Sequence, residues 1–513
     1  MASAAFAASC YVPRRASTPS FIGTSSLSAV AYLLTDSALN PAKLFTRPVS
    51  TLHRSFSHRL VIVQRAHLAV GSLLPPFARR HHAPVMPRLL PLPHAPLRLG
   101  VRHGRRALHL RTPEKQPQHK TLVTCSPGLE DMVREELRGL QVRRSRHIEM
   151  GTIEAEMSTQ QLYAANALLR GATRVLVNVC QFRAASFPEM ECAFKARRRA
   201  LAPFLPPGVD VSIKVHSRKS VLYHTDAIAQ RLRAWILEEF PKADAPSSEV
   251  LLTAFVDRDH FTIRVDTSGE PLYKRSWHVS GAQMPMRQSV AAGILRSVGW
   301  REAASIPLLD PLCGSGTLPI EAALISLGLP PHQIESIHPD VPGRVFAFQA
   351  WPSFDARCWG GVHAEVQRRE HAAIARRAST PPVLAADLDA KAVGIATEQA
   401  HRAGVGDIIE IRQGCMSDSL PPIRPHANTD GDSPPPHGIL VTNLPWGIRS
   451  ASDTSLRQLY GSFGNLYRKH FSSWNVGVLL EQPKLAHLVD PSMSLALRLR
   501  SGDIDCRLMT RCH

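Results

Sequence analysis

Asp310-Pro-Leu-Cys-Gly-Ser-Gly-Thr317 is the stretch that decides the fold class. It follows a short apolar strand candidate, residues 306–309, and precedes a helix candidate running from Thr317 to about Leu327. That is the layout of a ligand loop at the carboxyl end of a strand in an open α/β sheet. Gly314 and Gly316 let the backbone turn tightly and approach a ligand, since neither carries an obstructing side chain. The lysine of a nucleotide-triphosphate loop is absent, and Pro319 stands where the dinucleotide fingerprint has its third glycine. Such a loop suits an amino-acid carboxylate or a ribose. Asp310 is placed to receive the ammonium of that ligand, and Thr317 to cap its helix or meet the carboxylate. Taken alone, the stretch also reads as an ordinary strand-to-helix turn.

Two further stretches narrow the ligand. After an apolar run at 383–386 comes Asp387-Leu-Asp389, then a helix pattern ending near Gly404. An acid at this strand end can accept hydrogen bonds from vicinal ribose hydroxyls, with Asp387 the first choice and Asp389 suited to start the helix. Asn443-Leu-Pro-Trp-Gly447 follows another apolar strand candidate, 438–442. The Asn443 side-chain oxygen and the Leu444 carbonyl offer acceptors for both hydrogens of an exocyclic base amine. They would aim its nitrogen at an electrophilic carbon and stabilise the charge growing there. Pro445 restricts the backbone, and Trp446 offers a face on which a flipped base can stack, worth roughly 1–3 kcal/mol. A buried turn with a core tryptophan is the alternative for this motif alone. The ordered pair of motifs points to group transfer onto a planar amine.

Composition bounds the rest. The chain has 513 residues, enough for two or three domains, and a net charge of +19. Residues 1–111 hold 15 Lys or Arg and one acid, Asp36, whereas the remainder holds 46 basic and 41 acidic residues and carries only +5. Net charge therefore permits RNA binding by the remainder without indicating it. The acid-poor leader, rich in Ala, Ser, Arg, Pro and His, has the composition of an organellar transit segment, and its Met-Ala-Ser opening places a chloroplast ahead of a mitochondrion. A disordered basic tail is the alternative. The apolar stretch 60–76 is interrupted by Arg65 and His67 and too short to span a bilayer, so no stable membrane insertion is expected. Nine cysteines without a Cys-x-x-Cys pair argue against a disulfide scaffold or zinc knuckle, and no metal site stands out.

Three regions follow the leader. The first, about 119–275, carries strand candidates at 121–124, 175–179, 209–215, 251–256 and 261–265. Its helix candidates are a 129–140 pattern, 161–170, 189–201 and 225–237. This is a compact α/β or α+β module with its own core. Its basic runs 195–199 and 214–219 suit phosphates or solvated faces equally. The second, 272–299, includes Tyr273-Lys-Arg-Ser-Trp277 and reads as a hinge and as the lid or floor of a ligand pocket. The third, 300–513, reads as the catalytic sheet, with strands at 306–309, 383–386, 408–411, 439–442 and 476–480 alternating with helices. Residues 421–438, rich in Pro and Asp, read as a surface insertion.

With these motifs in place, the sequence resembles the THUMP-containing, class I S-adenosylmethionine-dependent RNA guanine-N2 methyltransferases, in particular their ribosomal RNA branch. The stretch 310–323 resembles that family's cofactor motif, and Asn443-Leu-Pro-Trp-Gly447 its Asn-Pro-Pro-aromatic-Gly motif. Lys274-Arg-Ser-Trp277, Phe348-Gln-Ala-Trp-Pro-Ser-Phe-Asp355 and Leu459-Tyr460 extend the match. The resemblance implies a Rossmann-like methyltransferase domain at 276–513, preceded at 112–275 by a THUMP/ferredoxin-like RNA-recruiting region, with 1–111 outside it. It implies S-adenosylmethionine as cofactor, held by Asp310, Cys313, Gly314, Gly316, Thr317 and Asp387. Asn443, Leu444, Pro445 and Trp446 would hold the target base. Leu444 replaces the family's first proline but keeps the carbonyl. Cys415 stands where an adenine-contacting aspartate is common, and Asp418 is the nearby acid that can replace it. The implied partner is structured RNA, ribosomal RNA before transfer RNA. A non-catalytic RNA-binding assembly factor on the same fold remains the other class.

Overall fold

The computed structural model describes residues 117–244, 249–279, 286–335, 341–414, 437–444, 453–501 and 504–512. Residues 1–116, Cys415, Asp418, Pro445 and Trp446 lie outside the described residues.

The first region is built in chain order from β1 (Gln118–Cys125), α1 (Glu130–Gly139), β2 (Ser145–Glu149), β3 (Thr152–Ser158), α2 (Thr159–Leu168) and β4 (Ala172–Arg183). It continues through α3 (Phe187–Lys195), β5 (Asp210–Arg218), α4 (Thr225–Glu239), β6 (Glu249–Asp257) and β7 (His260–Asp266). The strands form one sheet in the order β2-β3-β1-β4-β7-β6-β5. Every pairing is antiparallel except β5 with β6, which α4 joins as a crossover. Local chemistry sets these elements. The Ser158 hydroxyl and the Gln161 side chain close a capping box at the start of α2, and α1 buries Val133 and Leu137 on one stripe. This is a ferredoxin-like region, as the resemblance implies.

The second half contains α5 (Gln288–Ser297), β8 (Leu308–Asp310), α6 (Thr317–Ser326), α7 (Ala356–Arg376), β9 (Val383–Asp387), α8 (Ala390–Arg402) and β10 (Ile409–Gln413). After these come β11 (Ile439–Asn443), α9 (Asp453–His470), β12 (Asn475–Leu480), α10 (Ala486–Val489), β13 (Ser494–Ser501) and β14 (Ile504–Arg511). The sheet order is β10-β9-β8-β11-β12-β14-β13. The first five strands in that order are parallel, and β14 runs antiparallel to both of its neighbours. Within β9, β11 and β12 consecutive side chains are buried, because helices cover both faces of a parallel sheet.

Several elements differ from the sequence reading. The helix expected over 189–201 ends at Lys195 and continues as a single 3₁₀ turn, Arg198–Leu201. The basic run there is largely neutralised: Lys195 pairs with Glu191 and Glu238, Arg198 with Glu238 and Glu239, and Arg199 with Glu239. Strands β2, β3, β13 and β14 were not anticipated. The exposed edge strand β2 lacks apolar alternation, whereas β14 does carry it in Ile504, Cys506 and Leu508. The 272–279 segment is fastened rather than hinge-like, with Arg275 and Trp277 buried. Phe348 stacks on Tyr163 of α2 at 4.1 Å between ring centroids, so the 348–355 motif packs the two halves together.

Candidate active site

Three parallel strands end side by side in polar residues: β8 in Asp310, β9 in Asp387 and β11 in Asn443. This is the carboxyl edge at which open α/β sheets hold ligands. The loop after β8 is tied to β9 at two points. The Cys313 N–H donates to the Ala386 carbonyl at 2.9 Å, and the Gly314 N–H donates to Asp387 Oδ2 at 2.8 Å. The other Asp387 oxygen accepts from the Asp389 N–H at 3.0 Å. A carboxylate oxygen can accept more than one bond, so both retain capacity toward a ligand. Asp389 caps α8 through the Lys391 N–H, as its position suggested.

The two glycines serve different ends. Gly316 has φ +80°, and a Cβ there would stand 2.8 Å from Cβ of Ala396 on α8. Gly314 has φ +54°, and a Cβ would meet nothing within 4 Å, so the chain there borders open space. Gly316, in the left-handed conformation, is itself the N-cap of α6; Thr317 is the first helical residue and does not cap it. That corrects one of the two roles considered for Thr317. Its buried hydroxyl has no hydrogen-bond partner, which leaves it available to a ligand.

Electrostatics single out Asp310. Burial raises its carboxyl from 3.8 to about 7, with neighbouring Asp387 adding to the rise. The Leu312 N–H at 3.3 Å opposes it. The Thr442 hydroxyl beside it also favours the ionised form, yet completes no bond of ordinary geometry. Among the described residues no cation pairs with Asp310, so a cationic ligand group would restore its charge. The Cys313 thiol is held neutral well above its usual range by burial and by Asp310 and Asp387. Asn443 Oδ1 is buried without a partner, and the Leu444 side chain is fully buried.

Residues that the sequence reading passed over support this loop. Gln399 of α8, fully buried, donates to the Ser315 carbonyl at 2.5 Å and accepts from the Val279 N–H at 3.0 Å. His278 Nδ1 lies 2.9 Å from the same Gln399 oxygen. One amide thus joins the glycine turn to the segment after Trp277. Glu321 of α6 meets Arg275 and Arg170, each at 3.0 Å. Among the described residues no group of His, Cys, Asp and Glu could hold a metal ion, and no helix is long and apolar enough to cross a membrane.

A sheet of this order with one reversed strand, a glycine turn after β8 and an acid closing β9 defines a class I S-adenosylmethionine-dependent methyltransferase. Residues 275–510 match the family described as "RMKL-like, methyltransferase domain", and 120–176 match the RlmL ferredoxin-like domain. The match to the RMKL-like methyltransferase domain spans nearly the whole second half of the chain. The ribosomal RNA large subunit methyltransferase K/L of Syntrophotalea carbinolica is 30% identical over 400 residues, covering 76% of this chain and 53% of that protein. The protein of the same name from Desulfotalea psychrophila is 29% identical over 411 residues, covering 78% and 53%. The chain thus spans about half the length of these curated relatives. Among solved structures, a predicted N6-adenine-specific DNA methylase from Listeria monocytogenes superposes with TM-score 0.63 at 26% identity, covering 76% of this chain and 96% of that one. The structure of SMU.472, complexed with SAH, has the same fold: TM-score 0.64 at 23% identity, with 78% of this chain and 100% of that one covered.

Proposed function

We propose that the protein transfers the methyl group of S-adenosylmethionine to the exocyclic N2 amine of guanosine in ribosomal RNA. The observation that carries this reading is Asn443 Oδ1, buried and unpartnered beside the Asp310 loop. The curated relatives named for ribosomal RNA support the substrate class. The bound cofactor supplies an electrophilic methyl on a sulfonium. Its amino-acid end suits Asp310, the open backbone at Gly314 and the free Thr317 hydroxyl, while Asp387 suits its ribose. Asn443 and the Leu444 carbonyl accept the two amine hydrogens and turn the nitrogen lone pair toward the methyl, and Pro445 and Trp446 hold and stack the extruded base. The cofactor would supply its methyl to that nitrogen with loss of the bond to sulfur, and the surplus proton would leave to solvent, so no strong base is asked of these residues.

In this reading residues 112–275 recruit the RNA, 276–513 perform the chemistry, and Asp418 supports the adenine in place of an acid at Cys415. The composition of 1–111 supports organellar import, tested by the location of a fluorescent fusion. The full chain, given labelled S-adenosylmethionine and organellar ribosomal RNA, should yield N2-methylguanosine on nucleoside analysis. Asn443→Ala should lower turnover by about 10²–10³ while RNA binding survives. Methylation confined to transfer RNA would overturn the substrate, N6-methyladenosine the base, and RNA binding without any methyl transfer the catalytic reading itself.

A further inference from the structure

Strand β6 buries Val250, Leu252, Ala254 and Val256 on one face, and on the other leaves Leu251, Thr253 and Phe255 half-buried. That second face floors a cavity of about 460 Å³. Arg174, Lys214 and Arg264 line it from the first sheet, and Arg287 and Arg500 from the catalytic half, against a single lining carboxylate, Asp226. Two of these cations already have acids: Arg174 pairs with Asp266, and Arg500 lies 4.0 Å from Asp505. Arg264 does not. Its Nε donates to the neutral amide of Asn178 at 2.7 Å, and its guanidinium lies 5.8 Å from the centre of the Phe255 ring. Burial pulls Arg264 down to about 10, against the opposing pull of Glu154 and Glu149. Lys214 is exposed and, among the described residues, makes no ion pair. A desolvated arginine without a carboxylate favours an anion in the cavity.

Register places this cavity on the reacting side of the molecule. Arg507 of β14 pairs with Leu480 at the carboxyl end of β12, and Arg500 of β13 pairs with Asp505. Arg500 therefore lies at the same sheet edge as Asp310, Asp387 and Asn443. Three strand spacings, roughly 14 Å, separate β13 from β11.

We propose that this cleft binds single-stranded RNA flanking the target base, with phosphates against Lys214, Arg264, Arg287 and Arg500 and one base over the Phe255 floor. The proposal rests on the RNA reading above. The volume suits a nucleotide, and the apolar floor adds a surface that a bare phosphate would not use. Contributions from both halves let bound RNA bridge the recruiting region and the catalytic edge.

The test measures binding of a labelled uridine oligomer to the full chain by fluorescence anisotropy without cofactor, so methyl transfer does not enter the readout. Lys214→Glu and Arg287→Glu should each weaken binding about tenfold and flatten the slope of log affinity against log salt by roughly 0.7. Lys469→Glu, outside the cavity, is the charge-matched control and should change it little. An unchanged melting temperature certifies each fold. Equal losses in all three variants, unaltered binding in both cleft variants, preference for duplex RNA of equal length, or displacement by equimolar inorganic phosphate would each overturn the proposal. Cleft-dependent binding with no RNA methylation would sink the proposed function alone. Methylation with both cleft variants binding normally would sink the cleft alone.

Discussion

Asp310 carries a pH dependence whose sign differs between folding and ligand binding. Its carboxyl sits at about 7 in the folded protein against 3.8 ordinarily, so between those values the folded state holds a proton that the unfolded chain has released. Its contribution to stability therefore falls as pH rises through that window. Binding of an ammonium group runs the other way, because the carboxylate is the form that attracts it. Affinity for S-adenosylhomocysteine should rise as pH passes upward through about 7. Asp310→Asn should flatten that rise, and calorimetric titration on either side of neutrality checks both. A rise that persists in the variant would assign it to another group. Asp310 was recognisable from its place before a glycine turn, but its shifted acidity was not. That shift comes from burial and from Asp387, which is 77 residues further along the chain and meets it only once β8 and β9 pair.

At the scale of elements, the turn between β8 and α6 is held from three sides: Asp387 of β9, Ala396 of α8 and Gln399 of α8. Gly316→Ala should cost about 1–3 kcal/mol in urea unfolding, since it combines a left-handed backbone with a contact that Ala396 cannot relieve. Gly314→Ala meets open space, should cost less stability, and should act mainly on cofactor affinity. Equal unfolding costs would refute the distinction. Gln399→Leu, of similar size, strips partners from the Ser315 carbonyl and the Val279 N–H, at about 1–3 kcal/mol. It should also weaken S-adenosylhomocysteine binding, and unaltered affinity would show that the amide only packs. The strands and glycines of this turn were legible because apolar runs and Gly-x-Gly are local signals. Gln399 was not: on α8 it reads as another polar residue, and only packing reveals it as fully buried. The same limit hid β2, whose exposed side chains have no reason to alternate.

Across the whole molecule, the ferredoxin-like and methyltransferase halves meet through a charged core. Glu321 on α6 accepts from Arg275 and Arg170, and Arg275 also donates to the Arg170 carbonyl at 3.0 Å. Glu136 of α1 receives the N–H groups of Arg170 and Gly171, which fixes the same corner from the other side. Backbone approach completes the junction: the Arg500 N–H donates to Pro127 at 3.2 Å, and a Cβ on Gly128 would stand 1.8 Å from the Arg498 carbonyl oxygen. Both Glu321 and Arg275 side chains are fully buried, whereas that of Arg170 keeps 13% of its surface exposed. Removing one member of a buried pair leaves the other as an uncompensated charge, at about 3–5 kcal/mol. Glu321→Gln should therefore be the most damaging substitution here, because it strands Arg275 in the interior. Arg170→Met should cost less, since Glu321 keeps Arg275. Denaturant unfolding of the full chain gives the order, and a larger loss for Arg170→Met would show that its carbonyl contacts at Leu324 and Leu329, rather than the ion pair, hold the halves together. If Glu321→Gln splits one unfolding transition into two, the charged core is what makes the ferredoxin-like and methyltransferase halves a single cooperative unit.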